Sequence, residues 1–457
     1  MTSITVRLEG LLGGDRVRTS ESDLQNFAVS GRTPLAVLRP QSVDEVAESV
    51  RFAASEKLAV VCCGSRSKLE MGMPPERYDL ALDMTGLHEI AHYDPADLTL
   101  SVDAGMSMGG LQKVLQEKGQ FLPLAVPCME SCTVGGAVAS GVDSALRQQY
   151  GTARDFLIGA EFVDGKGSLC KSGGRVVKNV TGYDLHKLLI GSFGTLATIT
   201  RLNFRTFPLP ELYRGHFATF AILKDAFAFR TSLLASGLPL ASLECFSPEF
   251  SAQLPELDKG TRPSGPDSQS TNGWKVYSAF EGNEAVVRRI EQELQKRAAE
   301  AKAEFSEILN DALYQQLSEA LRESFDWLQR AAPSVALLRI VLPSLTSADM
   351  TDLHNPLPSP APRKILLLRP CGVVYLALAE EREETTGTET LVSTVRELFS
   401  WVNQRAGSVT LLHAPLRLKE KVNTWGPLRQ DSALMQRVKR AFDPQNIFAP
   451  GRFVGGL

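Results

Sequence analysis

Three glycine-containing loops carry the residues best suited to bind a ligand. Loop one is residues 64–68, loop two is residues 127–141, and loop three is residues 191–195. Glycine has no Cβ, so a ligand can lie directly against the backbone, and exposed N–H groups can bind phosphate oxygens. In loop one, Arg66 and Lys68 add positive charge. These loops therefore predict a site for a ligand that contains a phosphate or pyrophosphate.

Each loop also has a purely structural interpretation. Loop one is compatible with a solvated turn after the apolar run 58–63, and the adjacent Gly135 and Gly136 are compatible with close helix packing. Loop three lies between a helical leucine stripe at 185–189 and an alternating strand at 196–204, which describes a tight helix-to-strand junction. The presence of all three loops in one region favours a ligand site.

The common nucleotide and hydrolase motifs do not occur in the sequence. It has no G-x-G-x-x-G motif and no G-x-x-x-x-G-K-[ST] motif, which disfavours a Rossmann dinucleotide site and a P-loop NTPase. It also has no G-x-S-x-G motif, which disfavours an α/β-hydrolase. The predicted phosphate site therefore belongs to another class of protein.

Composition describes a soluble globular chain of two or three domains. The 457 residues are 43% hydrophobic and 22% charged, with a net charge of −3, so general attraction to nucleic acid or anionic lipid is not expected. We expect no signal peptide, and no uncharged run approaches the length of about 18 residues that spans a bilayer. The seven scattered cysteines indicate a reducing cytoplasm rather than a disulfide framework.

The first half of the chain predicts short strands that alternate with short helices. A helix is expected at 42–57, because Ser42 can cap it and acidic residues follow in its first turn. A second helix is expected at 106–118, ending before Gly119. Strands are expected at 34–40, 58–63, 79–84, 98–104 and 160–163. This alternation predicts an α+β or α/β domain for a cofactor.

Beyond residue 210 the pattern changes. Residues 255–273 are rich in Pro, Gly, Ser and Asp and predict a flexible surface excursion, while 283–330 predicts two charged helices in sequence. A further helix is expected at 389–404. Strands are expected at 274–280, 334–342, 364–370, 372–379 and 408–413. Helices packed on an antiparallel sheet suit this half of the chain.

Four motifs in order resemble a known superfamily. They are Thr133-Val-Gly-Gly-Ala-Val-Ala, Tyr150-Gly with Arg154-Asp155, Lys178-Asn-Val-Thr-Gly-Tyr-Asp-Leu, and Ile190-Gly-Ser-Phe-Gly-Thr. With loop one, they resemble the FAD domain of the vanillyl-alcohol oxidase/p-cresol methylhydroxylase flavoproteins over residues 32–210. The resemblance implies an α+β fold: an N-terminal segment at 1–31, a two-part FAD-binding domain at 32–210 and an α+β cap domain at 211–457.

The resemblance also implies the cofactor and the residues that hold it. FAD is expected, with its pyrophosphate at loops one and two and its flavin near loop three. The implied cofactor-binding residues are Gly64, Ser65, Arg66, Ser67, Lys68, Pro127, Thr133, Gly135, Gly136, Ser140, Tyr150, Gly151, Gly191, Gly194, Thr195 and Ile199. In loop one this chain departs from the glycine run of the family, because Ser65 and Arg66 occupy two of those places. Loop one also has no histidine, so the FAD is expected to be non-covalent.

Within the superfamily, the chain resembles most the smaller flavin-domain subunit, the E subunit, of bacterial glycolate oxidase. The segment that begins at Gly174-Arg-Val-Val-Lys and the ending Phe442-Asp-Pro-Gln-Asn-Ile-Phe-Ala-Pro-Gly-Arg452 carry this resemblance. It implies two partners: a larger catalytic flavin subunit and an iron–sulfur subunit that passes electrons toward quinone. A cytoplasmic location is expected, peripheral on the inner face of the membrane only through those partners.

No catalytic residue can be assigned from the sequence. Oxidation of a 2-hydroxy acid needs a base near the hydroxyl and a cation for the carboxylate. None of the six histidines lies in the histidine motifs of catalytic relatives. His413 ends a predicted strand, with Arg417 and Lys419 just beyond it, and is the one whose position suits a catalytic base. His186 is expected to be solvated. The cysteines lack the spacing of an iron–sulfur site, and no metal site is expected.

Three functional hypotheses therefore stand. The first is an FAD-binding subunit of a glycolate oxidase-like complex that oxidises a small 2-hydroxy acid. The second is an autonomous FAD-dependent 2-hydroxy-acid dehydrogenase that uses His413. The third is a structural subunit whose altered loop one no longer binds flavin.

Overall fold

A computed structural model describes most of the chain. It covers residues 3–142, 144–175, 182–254, 273–329, 332, 334–355, 362–380, 385–428 and 430–457. The predicted excursion at 255–273 therefore lies outside the described residues, apart from Gly273. The first four residues of the motif that begins at Lys178 also lie outside them.

Strands and helices alternate along the described chain. The strands are β1 (Val17–Arg18), β2 (Ala36–Leu38), β3 (Val60–Cys63), β4 (Leu80–Asp83), β5 (Ile90–Asp94), β6 (Thr99–Asp103), β7 (Gln120–Phe121), β8 (Leu157–Val163), β9 (Leu169–Gly173), β10 (Thr198–Arg205), β11 (Phe207–Pro208), β12 (Leu212–Phe220), β13 (Leu240–Phe246), β14 (Trp274–Gly282), β15 (Phe305–Leu309), β16 (Ser334–Val341), β17 (Arg363–Arg369), β18 (Val373–Glu380) and β19 (Ser408–His413). The helices are α1 (Ser3–Leu12), α2 (Glu21–Asn26), α3 (Val43–Ser55), α4 (Met108–Gln116), α5 (Val134–Ser140), α6 (Arg147–Tyr150), α7 (Ala153–Phe156), α8 (His186–Leu189), α9 (Leu223–Ala235), α10 (Pro248–Ser251), α11 (Glu284–Glu300), α12 (Asp311–Arg322), α13 (Ser324–Gln329), α14 (Ser347–His354), α15 (Thr385–Gln404), α16 (Leu416–Lys419) and α17 (Ser432–Phe442).

The chain divides into two compact units. The first consists of Met1–Asp143, Gly151–Leu209 and Pro427–Leu457, and the second consists of Ser144–Tyr150 and Pro210–Gly426. This differs from the division at residue 210 that the sequence predicts. The ending joins the first unit because Phe448 forms a parallel bridge with Val60 and is fully buried there. Residues 144–150 join the second unit, where the Tyr150 hydroxyl donates to Glu281.

The first unit contains two principal sheets. One has the order β1-β2-β4-β3, in which β2, β4 and β3 are parallel. The other is antiparallel, with the order β5-β6-β10-β8-β9. Helix α3 begins where the sequence predicts, because the Ser42 hydroxyl accepts from the N–H of Glu45. Its buried face, including Val46 and Val50, packs on the first sheet.

A buried ion pair fixes the C-terminal segment within the first unit. The Lys439 ammonium lies 2.7 Å from the Asp443 carboxylate and donates to the carbonyls of Thr195 and Phe448 at 2.7 and 2.9 Å. Asp443 also accepts the backbone N–H of Phe448 at 2.8 Å. Burial lowers the pKa of Lys439, and the nearby Asp443 opposes that shift. The charges of Lys439 and Asp443 compensate each other. The hydrogen bonds of Lys439 hold loop three next to the final segment that contains Phe448.

The second unit is an eight-stranded antiparallel sheet with the order β15-β12-β14-β13-β17-β18-β16-β19. One face packs against α9, α11, α14 and α15, and the other packs against α10, α12 and α13. Helices on an antiparallel sheet are what the sequence predicts for this half. The prediction was wrong at residues 305–309, which form the edge strand β15 between two helices because they pair with β12. No helix in the described part of the chain has the length and apolar character to cross a bilayer.

His216 is a buried neutral histidine in β12. Its Nε2 atom lies 2.9 Å from the Ser306 hydroxyl, while its Nδ1 atom has no hydrogen-bond partner among the described residues. Burial lowers the pKa of His216 from 6.5 to about 4. Because the unfolded chain binds this proton more readily than the folded chain, stability falls as the pH drops from 6.5 toward 4.

We expect replacement of His216 by Gln to reduce the acid sensitivity of the fold. Wild type should lose up to about 3 kcal/mol of unfolding free energy from this histidine between pH 6.5 and 4, and H216Q should lose correspondingly less. Urea unfolding at a series of pH values measures the difference. The exposed His92 provides the control H92Q, which should keep the wild-type pH dependence. Equal pH slopes for wild type and H216Q would contradict the assignment.

We also expect K439M to destabilise the first unit by about 3–5 kcal/mol, because it leaves the Asp443 carboxylate buried without its cation. The matched control is K187M, which removes an ammonium that pairs with Asp184 at the surface. That change should cost less than about 1 kcal/mol. Urea unfolding compares the two variants. A similar small loss in both would show that the buried pair does not hold the C-terminal segment.

Candidate cofactor site

A cavity opens in the first unit where the three glycine loops meet. Loop one follows the end of β3, loop two leads into α5, and loop three leads into β10. The predicted residues that line the cavity are Gly64, Ser65, Arg66, Ser67, Lys68, Thr133, Gly135, Gly136, Ser140, Gly194 and Ile199.

Loops one and two are in direct contact. A Cβ atom at position 64 would lie 2.0 Å from Oγ1 of Thr133, so only glycine allows this approach. The Lys68 ammonium donates to the carbonyl of Pro127 at 3.2 Å and lies 3.2 Å from Sγ of Cys132. Lys68 therefore fixes the spacing between the two loops. Pro127 contributes through its carbonyl rather than as a lining side chain.

The adjacent glycines of loop two have different environments. A Cβ at Gly135 would lie 2.7 Å from Cβ of Ala104, so that glycine is required for packing against the end of β6. At Gly136 the only atom within 4 Å would be Oγ1 of Thr133, at 2.9 Å. That hydroxyl caps α5 by accepting the N–H of Gly136. Gly135 thus serves the fold, while Gly136 keeps the cavity open.

Loop three is held by backbone contacts to α5. The N–H of Gly191 donates to the carbonyl of Val138 at 3.0 Å, and that of Phe193 donates to Ala139 at 2.9 Å. Thr195 is buried, and its hydroxyl donates to the carbonyl of Ser192 at 2.7 Å. Gly191 and Thr195 therefore shape the loop but do not line the cavity, although both were predicted as cofactor residues.

Two other predicted residues have different contacts. Tyr150 ends α6 in the second unit, where its hydroxyl donates to Glu281. Gly151 opens the turn before α7, and a Cβ there would lie 2.5 Å from the Asp155 carboxylate. That carboxylate accepts the N–H and hydroxyl of Thr152. Neither residue lines the cavity of the first unit.

Several lining residues were not predicted from the sequence. They include Cys62, Cys63, Met84, Ala104, Cys132, Phe193, Thr198 and Arg452. The guanidinium of Arg452 donates to the carbonyls of Leu69 and Met71 at 2.5 and 2.6 Å. Arg452 thereby supports the segment directly after loop one. The sequence contains it in the C-terminal motif, but no local signal places that motif beside loop one.

The cavity lining offers cations and thiols but few acid–base groups. Burial raises the pKa of Cys62 to about 11 and that of Cys63 to about 12, so both thiols are neutral at physiological pH. Among the described residues that line the cavity, none is Asp, Glu or His. Among the described residues, no three His, Cys, Asp or Glu side chains form a cluster that could hold a metal. The cavity is therefore suited to hold a ligand.

The histidines lie away from this cavity lining. His186 is only 2% exposed, and its Nδ1 atom lies 3.0 Å from the Ser172 hydroxyl, so the expectation that it is solvated was wrong. The short helix α8 turns this residue toward β9 instead of toward water. Burial also lowers its pKa. His413 ends β19 in the second unit, next to Leu337 of β16.

The residues present fit FAD. Glycine at position 136 leaves room for close backbone approach, and Arg66 and Lys68 provide positive charge for a pyrophosphate. The apolar side chains of Met84 and Ile199 provide surface for a flat ring. Loops one and two would hold the pyrophosphate, and loop three would lie near the flavin.

We predict that the two glycines of loop two respond differently to alanine. G135A should lower the unfolding free energy by about 1–3 kcal/mol, because the new methyl group overlaps Ala104. G136A should change stability less but weaken FAD binding, because its methyl group enters the cavity. Thermal unfolding of the FAD-free protein and FAD titration measure the two effects separately. If G135A and G136A lose the same unfolding free energy and G136A keeps the wild-type FAD affinity, this distinction is wrong.

Comparison with known proteins agrees with this site. The family described as "FAD binding domain" matches residues 34–173, and the family "FAD linked oxidases, C-terminal domain" matches residues 374–453. The chain is similar to glycolate oxidase subunit GlcD of Bacillus subtilis (strain 168), with 24% identity over 92% of this chain and 88% of that protein. It is also similar to glycolate oxidase subunit GlcE of Escherichia coli (strain K12), with 36% identity over 36% of this chain and 47% of that protein.

A solved structure has the same fold. The crystal structure of p-cresol methylhydroxylase with substrate bound matches 98% of this chain and 96% of its own, with a TM-score of 0.78 and 18% identity. The predicted α+β architecture, an FAD-binding domain with a second domain, is thus confirmed. The two matched families identify the chain as an FAD-linked oxidoreductase with an FAD-binding domain and the C-terminal domain of FAD linked oxidases, and its fold is that of p-cresol methylhydroxylase.

Proposed function

We propose that this chain is the FAD-binding subunit of a complex that oxidises a small 2-hydroxy acid such as glycolate. The observation that carries the proposal is the lining of the cavity: its described residues combine glycines and cations that suit FAD, and none of them is Asp, Glu or His. Similarity to two glycolate oxidase subunits supports the substrate class. The complex would also contain a larger catalytic flavin subunit and an iron–sulfur subunit that accepts the electrons.

The residues of the cavity have distinct roles in this proposal. FAD, when bound, supplies the two-electron redox chemistry. Arg66 and Lys68 balance the charge of its pyrophosphate, and Gly136 lets the backbone approach it, while Gly64 allows loops one and two to pack together. Gly194 and Ile199 lie at the end where loop three would meet the flavin. Three further predicted residues, Pro127, Gly191 and Thr195, act indirectly, by holding these loops in position.

The absence of acid–base groups from the lining supports a shared catalytic function. Oxidation of a 2-hydroxy acid to a 2-oxo acid removes a proton from the hydroxyl and a hydride equivalent from C2. Neutral thiols of high pKa do not suit the removal of that proton. In this proposal the base comes from outside the described lining residues, and a partner subunit provides it. The proposed location is the cytoplasm, peripheral on the membrane only through the partners.

The first test is the visible absorption spectrum of the purified chain before and after acid precipitation. We expect a flavin band that moves to the supernatant, because loop one offers no histidine for a covalent link. A folded but colourless protein that FAD does not reconstitute would contradict FAD binding by this chain and favour the structural subunit.

The second test is anaerobic addition of glycolate or D-lactate to the flavin-loaded chain, alone and with its partner subunits. We expect bleaching of the flavin only in the presence of the partners. The control is H413A, which should behave as wild type in both conditions. Bleaching of the isolated chain that H413A abolishes would instead establish the autonomous dehydrogenase.

A further inference from the structure

Arg66 occupies a backbone conformation that favours glycine. Its φ angle is 67°, within the left-handed region that side chains other than glycine seldom adopt. The N–H of Leu69 donates to its carbonyl at 3.0 Å and closes the turn. A residue that keeps such a conformation at a cavity is a candidate for a functional role. The loop would accept glycine here without strain, so the arginine side chain needs a separate explanation.

The side chain of Arg66 stacks on a buried aromatic ring. Its guanidinium carbon lies 4.5 Å from the ring centroid of Phe27. Phe27 is 1% exposed and packs in a core that includes Val37 and Val61. The hydroxyl of Tyr78 donates to the Phe27 carbonyl at 2.8 Å, which fixes the segment that carries the ring. A rigid aromatic face thus determines where the guanidinium lies.

The stacked guanidinium keeps its N–H edges available. Arg66 lines the cavity, and no carboxylate of the described residues forms an ion pair with it. Lys68 differs, because its ammonium is already bound to the carbonyl of Pro127 and to Cys132. Arg66 is therefore the cation of loop one that can bind an anion directly. A planar guanidinium can bind two phosphate oxygens through parallel N–H groups.

We propose that Phe27 is a positioning residue that holds the Arg66 guanidinium at the cavity, where Arg66 binds the diphosphate of FAD. The arginine side chain then supplies the donors that backbone N–H groups would supply in an all-glycine loop. This inference rests on the proposed cofactor site. It predicts that FAD affinity in this chain depends on one side-chain charge and on the ring beneath it.

The test is titration of the flavin-free full-length protein with FAD and with riboflavin, which has no phosphate. We expect R66G to bind FAD about tenfold more weakly, because a hydrogen-bonded charge is lost. Riboflavin affinity should remain within about twofold, since that ligand lacks the group that Arg66 contacts. Glycine suits the left-handed conformation, so the melting temperature of flavin-free R66G should not fall. The variant therefore separates binding from folding.

A double-mutant cycle tests the role of Phe27. We expect F27L to weaken FAD binding about threefold in wild type, the size of a lost cation–π contact, and to have no effect in the R66G background. R66K should fall between wild type and R66G, because it keeps the charge without the planar donors. Raising the ionic strength should weaken FAD binding to wild type more than to R66G.

A second arginine–phenylalanine stack provides the matched control. The Arg7 guanidinium carbon lies 4.8 Å from the ring centroid of Phe52, on the surface of the same unit and outside the cavity lining. F52L and R7M should leave FAD affinity unchanged. Wild-type FAD affinity in R66G, or an equal effect of F27L in both backgrounds, would overturn the inference. If wild-type protein fails to bind FAD at all, the proposed cofactor site fails instead.

Discussion

The cofactor-binding unit depends most on the hydrogen bonds and the ion pair of the buried Lys439 ammonium. It joins three backbone segments: the turn of loop three through Thr195, helix α17 through Asp443, and the final segment through Phe448. A buried cation is stable only when its partners surround it, so these segments adopt their positions together or not at all. Phe448 in turn lies beside β3, whose end carries loop one. The Lys439 ammonium therefore holds loop three directly, and through Phe448 it holds the strand that leads into loop one.

The cavity walls obey a second constraint, which is the absence of side-chain volume at the contacts between loops. Gly64 lies against Thr133, Gly135 lies against Ala104, and Gly141 lies against Gly191. At Gly64, Gly135 and Gly141 the neighbouring atoms leave no room for a Cβ atom, so these segments pack more closely than a side chain would allow. Glycine in such a site therefore has two functions. Gly64, Gly135 and Gly141 allow the segments to pack. At Gly136 the space that a side chain would fill belongs to the cavity.

The sequence predicted what local chemistry determines. Helix α3 begins at its Ser42 cap, β19 occupies the predicted residues, and loop one lies at a strand end, because each depends on neighbouring residues. The sequence did not predict contacts between distant segments: Lys439 binds a carbonyl 244 residues away, and Arg452 binds one 383 residues away. Tyr150 was predicted to bind the cofactor because of its position in a motif, but its hydroxyl donates to Glu281 of the second unit.

The distribution of charge explains why an FAD site need not be a complete active site. In the cavity the side chains of Arg66, Lys68 and Arg452 are all cationic, which suits an anionic cofactor but provides no base. In the second unit, the buried Arg369 is paired with Glu244 at 2.7 Å and stacks on Tyr375, so its charge is already compensated. A carboxylate substrate would have to displace that pairing at a large desolvation cost. The described cavity lining thus suits an anionic cofactor, while the charge of Arg369 is neutralised within the second unit.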